Sequence, residues 1–447
     1  MIRRKEVTQP PSVYSERPPG FVLRELQSGR RRVSARAVLC CDALPLTKLA
    51  ERYGTPLYVY SATAIRERLA AFENAFRDVS HTICYSVKAN SNLTILRLLA
   101  RNGSGFDVVS GGELERVLAA DRRAARKIVF SGVGKSRDEM AAALKAGILL
   151  FNVESESELL SLAECTGRLR KVARVALRVN PDVAADTHPY ISTGLHKHKF
   201  GVPIGTARAL YAEAARAEYL KVAGVSVHIG SQITSLDGFE AAARRLVAFM
   251  AGLGGLPELN LGGGHAVPYR PGEDGLDITA FAERITRVVE QECAAHRIPV
   301  PRLTIEPGRA IIGAAGVTLY RVLAVKHGAR TFVVVDGGMS DNPRPALYGS
   351  RYHIERAGAH TAAGNEPMTV VGRHCEAGDV LVPDARLPAD LRPGDLLTVP
   401  CTGAYHHAMA SNYNHLTRPP VIAAHEGHAW PLIRRETAGD LLRRDVG

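Results

Sequence analysis

Lys88 stands in "YSVKAN" (85–90), between the apolar run "TICYS" (82–86) and the helical pattern "SNLTILRLLARNG". A lysine at a strand end is ordinarily solvated. At a crowded, partly dry rim its ammonium loses a proton more easily, and the free amine can form a Schiff base with an aldehyde. Other able groups fall at the ends of similar runs: Asp107 and Ser110, Arg178 and Asn180, His228 opening "HIGSQ", the "GGG" at 262–264, and Glu306 opening "EPGR". The glycines let backbone N–H groups approach an anion closely. The "EPGR" followed by "AIIG" is expected to open a helix whose N-terminus favours a phosphate. A carboxylate at Glu306 against a pyridine nitrogen would keep that nitrogen protonated and make the ring an electron sink, and His228 could lie flat against such a ring. Each residue alone is more often a hydrogen-bonded structural group. Together they describe a pyridoxal-phosphate site; without Lys88 the remainder could equally hold a sugar phosphate.

These residues need a scaffold that gathers strand ends. Between 82 and 306 the chain alternates strand-like runs (82–86, 106–109, 128–131, 148–153, 172–179, 222–229, 257–262 and 302–306) with Ala/Leu/Arg/Glu-rich helical stretches. The runs are apolar nearly throughout, as parallel strands buried on both faces should be. Eight strands, each followed by a helix, predict an α/β (β/α)₈ barrel with its site at the C-terminal strand ends. A doubly wound open sheet is the alternative, but it usually carries a Gly-rich loop after its first strand, and "SVKANSN" is not one. After about 315, short strands separated by Gly, Pro and Asp turns predict an all-β domain. The run "TPLYVY" (55–60), read as a strand with no helix before it, is expected to pair with that domain, which places the barrel as an insertion. The expected organisation is a basic, flexible arm over 1–40, a segment at 41–60 joining the β domain, a cofactor barrel over 61–315 and the β domain over 316–447.

Composition narrows the function classes. The chain has 447 residues, enough for two or three domains, and a formal net charge of +12. Residues 1–40 carry nine Lys/Arg and three Asp/Glu, so half of that charge lies in the arm and the rest is spread thinly. A nucleic-acid surface is therefore disfavoured, and a weakly basic body also suits anionic small molecules. The seven cysteines are scattered, odd in number and without a CxxC pair, which points to a reducing cytoplasm and away from disulfides or a metal site. No apolar run is long enough to span a bilayer, and the basic start has no apolar stretch behind it, so neither a membrane segment nor a secretory signal is expected.

The segments "YSVKAN", "HIGSQ", "LGGG", "EPGR", "DGGMSDNPRPALYG", "GRHCEAGD" and "GAY" occur in an order that resembles the fold-type III pyridoxal-phosphate decarboxylases, and among these the diaminopimelate decarboxylases. The resemblance covers roughly residues 45 to 440. It implies decarboxylation of meso-2,6-diaminopimelate to L-lysine, the last step of lysine biosynthesis, with pyridoxal 5'-phosphate as cofactor. Carried over, it implies that Lys88 holds the cofactor, with Asp107 among the cofactor-binding residues. His228 would stack on the ring and Glu306 would meet its nitrogen. Gly263, Gly264 and the Gly308–Arg309 turn would hold the phosphate with Ser231, and Tyr405 would touch the cofactor. Arg309, Arg344 and Tyr348 would bind the distal end of the substrate. Cys375 and Glu376 would come from a second subunit of a homodimer, Cys375 as proton donor.

The chemistry is consistent with these roles. Decarboxylation leaves a carbanion that an acid must reprotonate, and a cysteine can supply the proton. A distal carboxylate suits arginine, a distal ammonium suits Glu376, and two arginines would repel substrates that end in an amine. The chain departs from the family where His265–Ala266 follow "GGG" in place of Leu-Gly, where "CEAGD" has Ala for a common Ser, and where His406 and His407 follow Tyr405. The competing readings are a same-fold decarboxylase of another acidic diamino acid or carrier-bound amino acid, and a catalytically silent relative.

Overall fold

The structure is a computed structural model that describes residues 17–25, 37–181, 199–358 and 363–446. It forms two compact units: one of 66–267 and 274–311, the other of residues up to 65, 268–273 and 312 onward.

The first unit is the barrel. Its strands are β1 (His81–Ser86), β2 (Gly105–Val108), β3 (Ile128–Phe130), β4 (Leu150–Val153), β5 (Ala173–Asn180), β6 (Leu220–Ser226), β7 (Glu258–Asn260) and β8 (Arg302–Ile305). Each pairs in parallel with the next, and β8 returns to β1 through Leu303↔His81, Thr304↔Thr82 and Ile305↔Ile83. Closure leaves no edge and excludes the open doubly wound sheet. Strand residues such as Cys84, Val129, Leu150, Ala176 and Ala223 are buried against one another, which explains why the runs read as continuously apolar.

The connections leaving the strand ends are fixed by caps. Asn92, Ser110, Ser136, Ser155 and Asp277 each accept a backbone N–H in the first turn of the helix that follows, and Ser136 forms a reciprocal capping box with Glu139. Each such cap is worth about 1 kcal/mol, so these short side chains hold the rim loops that carry the polar residues.

Three expectations are corrected here. The segment "EPGR…AIIG" does not open a full helix: Arg309–Ile312 is one turn, too short for much of a macrodipole. The helix Ala62–Ala75 precedes β1, and Phe76 just beyond it packs on Phe281 of the helix Ile278–His296 at 5.9 Å, closing the outer layer where a long eighth helix would lie. Strands β6 and β7 end before His228 and Gly262. Gly230 and Gly262 take φ of 159° and 70°, and backbone of the latter kind leaves the ladder. His228 and the glycines therefore sit on turns beyond the strands.

The second unit is mainly antiparallel sheet, ordered Val380–Pro388, Asn365–Val371, Phe332–Val335, Gly316–Lys326, Leu57–Ser61, Val421–His425, His428–Ile433. Leu57–Ser61 pairs antiparallel with Gly316–Lys326 and parallel with Val421–His425, so a strand from before the barrel completes a sheet built after it. A helix, Leu46–Tyr53, does precede that strand, contrary to expectation. It is two turns long, buries Leu46, Leu49 and Ala50 at helical spacing, and stops at Gly54 with φ 72°; a pattern this short is hard to distinguish from a loop. Within the stretch read as a flexible arm, Phe21–Glu25 pairs antiparallel with Ala37–Cys41. The apolar stretches "FVL" and "AVLCC" are short and are hidden by the basic and Pro-rich residues around them; residues 1–16 and 26–36 of the arm lie outside the described residues. Among the described residues no helix is long and apolar enough to cross a membrane.

Candidate active site

At the C-terminal rim of the barrel, Lys88 lies on a 3₁₀ turn, Val87–Ala89, directly after β1. Its Nζ is 3.8 Å from Asp107 Oδ2; the lysine side chain is 44% exposed and the aspartate 1%. Ser86 Oγ lies 2.9 Å from the same Asp107 oxygen and 3.0 Å from the Glu306 carbonyl, joining β1, β2 and β8. Asp107 Oδ1 is buried and has no hydrogen-bond partner among the described residues. A buried, half-satisfied carboxyl group beside an accessible amine is an arrangement that calls for a further polar partner.

Glu306 follows β8 and is buried. Its Oε1 accepts from Asn260 Nδ2 at 2.5 Å and from Asn152 Nδ2 at 3.4 Å. Burial pushes its carboxyl up to about 8, helped by nearby Asp107 and opposed by Asn260, Lys88 and Arg178. The carboxyl is thus a proton carrier near neutrality. His228, half-buried beyond β6, accepts the Gly263 N–H at Nδ1, 3.2 Å away. Desolvation, with cationic Arg178 and Lys88, lowers its pKa, so it is a neutral ring and suits stacking rather than charge pairing.

The glycines are required by space as well as by conformation. A Cβ on Gly263 would meet the Glu306 carbonyl at 2.2 Å, and one on Gly264, where φ is 107°, would meet the Gly230 carbonyl at 2.3 Å. Gly308 would press on Ser86 and Ala89 at about the contact limit. Arg309 is buried and donates to Ser231 Oγ at 3.2 Å. Lys88, Asp107, His228, Ser231, Gly263, Gly264, Glu306, Gly308 and Arg309 are therefore all in the barrel unit, on the loops or strand ends of one rim. An amine, a buried carboxyl, a neutral imidazole and a cradle that any side chain would fill fit a phosphorylated pyridine aldehyde.

Further rim residues carried no local sequence signal. Glu154 accepts from Arg178 at 3.1 Å and from the N–H groups of Gly132 and Gly201. Glu113, accepting the Val109 N–H at 2.8 Å, is pushed up to about 7 by burial first and Asp107 second. Asn152 and Asn260 were not singled out either.

The other unit holds Arg344, Tyr348, Tyr405, Cys375 and Glu376. Arg344 is buried, donates from Nε to Tyr352 Oη at 3.0 Å and from Nη2 to Ser350 Oγ at 3.2 Å. Its guanidinium lies 5.2, 5.6 and 6.0 Å from the rings of Tyr348, Tyr405 and Tyr269. Tyr405 has φ 61°, a conformation costing on the order of 1 kcal/mol, which its surroundings must impose. Cys375 is exposed, on a loop whose N–H is held by Asn414 Oδ1 at 2.9 Å. Beside it Glu376 accepts the Gly378 N–H at 3.3 Å, while His374 is buried on Asp379 at 2.8 Å.

The segment 62–313 matches the family model described as "Pyridoxal-dependent decarboxylase, pyridoxal binding domain". The chain is 46% identical over 418 residues to the diaminopimelate decarboxylase of Actinosynnema pretiosum subsp. auranticum, covering 92% of this chain and 93% of that protein. It is 44% identical over 404 residues to that of Neisseria meningitidis, covering 89% and 96%. Among solved structures it is similar to diaminopimelate decarboxylase from Helicobacter pylori complexed with L-lysine (36% identity, TM-score 0.83, covering 89% and 98%). It is also similar to that from M. jannaschii in co-complex with L-lysine (35%, TM-score 0.87, covering 92% and 96%). With a barrel whose rim fits the cofactor and relatives of this identity over nearly their whole length, the chain belongs to the diaminopimelate decarboxylase family of pyridoxal-dependent decarboxylases.

Proposed function

We propose that the rim residues described above carry out the reaction of this family in this chain. The chain is a carboxy-lyase that converts meso-2,6-diaminopimelate to L-lysine and carbon dioxide with pyridoxal phosphate. Its place is the end of lysine biosynthesis. The observation that carries this reading is the convergence of Lys88, Asp107, Glu306 and the glycine turns on one barrel rim.

When bound, pyridoxal phosphate supplies an aldehyde carbon for an amine and a pyridinium ring that delocalises the electron pair left by departing carbon dioxide. Lys88 Nζ is the amine of the rim, steered by the Asp107 carboxylate 3.8 Å away. Glu306 holds a proton where the ring nitrogen would lie, and the neutral His228 ring offers a flat face. Gly264, Gly308, Ser231 and Arg309 offer N–H, hydroxyl and guanidinium donors to a phosphate, at a turn where Gly263, its own N–H held by His228, adds no Cβ. Arg309, Arg344 and Tyr348 bind the distal carboxylate, and Tyr405 contacts the cofactor and substrate. Two N–H groups of Arg344 are held by Tyr352 and Ser350, so its guanidinium is pre-oriented for a planar anion. Glu376 takes the distal ammonium, and the Cys375 thiol returns a proton to the carbon that lost its carboxylate. The exposure of the Cys375 loop supports its donation to a second copy, with the site completed in a homodimer. The seven free cysteines, of which only Cys375 is exposed, suit a reducing cytoplasm.

The test is carbon dioxide release from stereochemically pure diaminopimelates alongside ornithine and arginine. The meso isomer should yield carbon dioxide and L-lysine, with little release from the amine-terminated substrates. Equal turnover of ornithine would sink the substrate assignment.

A further inference from the structure

Asn260 is the last residue of β7 and is 1% exposed. Its two amide atoms serve different groups. Nδ2 donates to Glu306 Oε1 at 2.5 Å, while Oδ1 accepts the Gly262 N–H at 2.8 Å. The partners fix which amide atom is which: the carboxylate needs a donor and the peptide N–H an acceptor. The Asn260 carbonyl also accepts the N–H of Val227, the residue before His228, at 2.9 Å. The Glu306 N–H returns to the Gly262 carbonyl at 2.8 Å. One buried side chain thus joins the Glu306 carboxyl to the first glycine of the turn, and the main-chain carbonyl of the same residue holds the loop that carries His228.

A second amide, Asn152 Nδ2, reaches the same Glu306 oxygen at 3.4 Å while also bonding Ser131 Oγ at 3.0 Å. Both N–H donors therefore converge on Oε1. An oxygen that accepts from two amides has its lone pairs engaged, so a proton on this carboxyl belongs on Oε2. We propose that Asn260 is a positioning residue that directs the exchangeable proton of Glu306 to Oε2 and, through the same amide, sets the glycine turn, so that the ring and phosphate ends of the cofactor site are placed together. This rests on the roles given above to Glu306 and the glycines. Asn260 also opposes the upward push of burial on the Glu306 carboxyl, as a donor to its anionic form should.

Two substitutions separate the two bonds. Asn260→Asp keeps an acceptor for Gly262 but sets a second carboxylate against Oε1. Asn260→Leu, of similar volume, removes both bonds. The full chain is stripped of cofactor and titrated with pyridoxal phosphate and with pyridoxal, and the absorbance of the bound cofactor is followed from pH 6 to 9. Wild type should show a spectrum that changes with the ionisation of the Glu306 carboxyl and a strong preference for the phosphorylated form. Asn260→Asp should move the midpoint of that change upward by about one pH unit and lower kcat about 10- to 100-fold with KM changed less than about 3-fold, while keeping the preference for phosphate. Asn260→Leu should do the same and also reduce that preference about 10-fold. The double variant Asn260→Asp/Glu306→Gln restores a donor–acceptor pair and should recover the melting temperature but not the spectrum. If Asn260→Leu fails to fold, Asn260→Asp carries the test alone. A wild-type pH–spectrum profile in Asn260→Asp, with an altered one in Glu306→Gln, overturns the proposal. A wild-type profile in Glu306→Gln as well overturns the role given to Glu306.

Discussion

The barrel rim and the sheet unit hold their polar residues in opposite ways. On the rim, Asp107, Asn260 and Glu306 are buried and tied to one another across β1, β2, β7 and β8. In the sheet unit the residues fall into two sets: Arg344 is buried among three tyrosines, whereas Cys375 and Glu376 stand on an exposed loop. A prebuilt, cross-braced rim suits a group that stays bound through every turnover. An arginine held by aromatic rings and an exposed thiol suit a substrate that comes and goes. The difference fits the proposed roles, in which most cofactor contacts lie on the barrel and most substrate contacts, with the proton return, in the sheet unit.

The sharpest way to break this division is to remove one reactive group from each side. Lys88→Ala should lower activity by at least about 10³-fold and abolish the cofactor's absorbance above 400 nm. Cys375→Ala should cost about 10²- to 10³-fold in carbon dioxide release or product formation while leaving that absorbance intact. If the two inactive variants are mixed under conditions that exchange subunits, about a quarter of wild-type sites should return, since each mixed dimer of symmetric subunits rebuilds one complete site. No recovery, with exchange demonstrated, would assign both groups to the same copy.

A smaller effect separates the two sets within the sheet unit. Arg344→Lys keeps a charge but loses the planar fork, and should raise KM for diaminopimelate about 10- to 100-fold with kcat nearly unchanged. An equal loss in kcat would move Arg344 from substrate binding toward the chemistry.

The smallest effect concerns stability of the cofactor-free protein. The Glu306 carboxyl is raised from 4.5 to about 8 in the folded barrel. Its favourable contribution is complete below about pH 4.5 and is lost as pH rises toward about 8, because the unfolded chain ionises first. The melting advantage of Glu306→Gln over wild type should therefore grow from pH 5.5 to pH 8.5. His265 has the opposite sign. Buried among Phe72, Phe239 and Phe281, its imidazole is lowered to about 3. That contribution is complete above about pH 6.5 and is lost as pH falls, so His265→Leu should gain stability relative to wild type in acid.

The barrel was legible because its strands are buried on both faces and read as separate apolar runs, and because polar residues cluster where those runs end. Element ends were less legible: His228 lies two residues beyond the end of its strand, and Gly262 turns out of the ladder with φ 70°. Leu46–Tyr53 was missed because two turns of helix carry too little periodicity. Within the site, Lys88 and Glu306 stand in distinctive segments, whereas Asn152 and Asn260 look like any polar residue in a strand. Their partner is 154 and 46 residues away in sequence, so only the closed barrel reveals what they hold.

The central claim is that this barrel carries its cofactor on Lys88, and reductive trapping tests it most directly. The holoprotein is treated with borohydride, digested, and the pyridoxyl-bearing peptide sequenced by mass spectrometry. The label should fall on Lys88 in the "YSVKAN" segment and be absent from Lys88→Ala. A label on another lysine, such as the buried Lys135, or no covalent label on cofactor-loaded protein, would contradict the account.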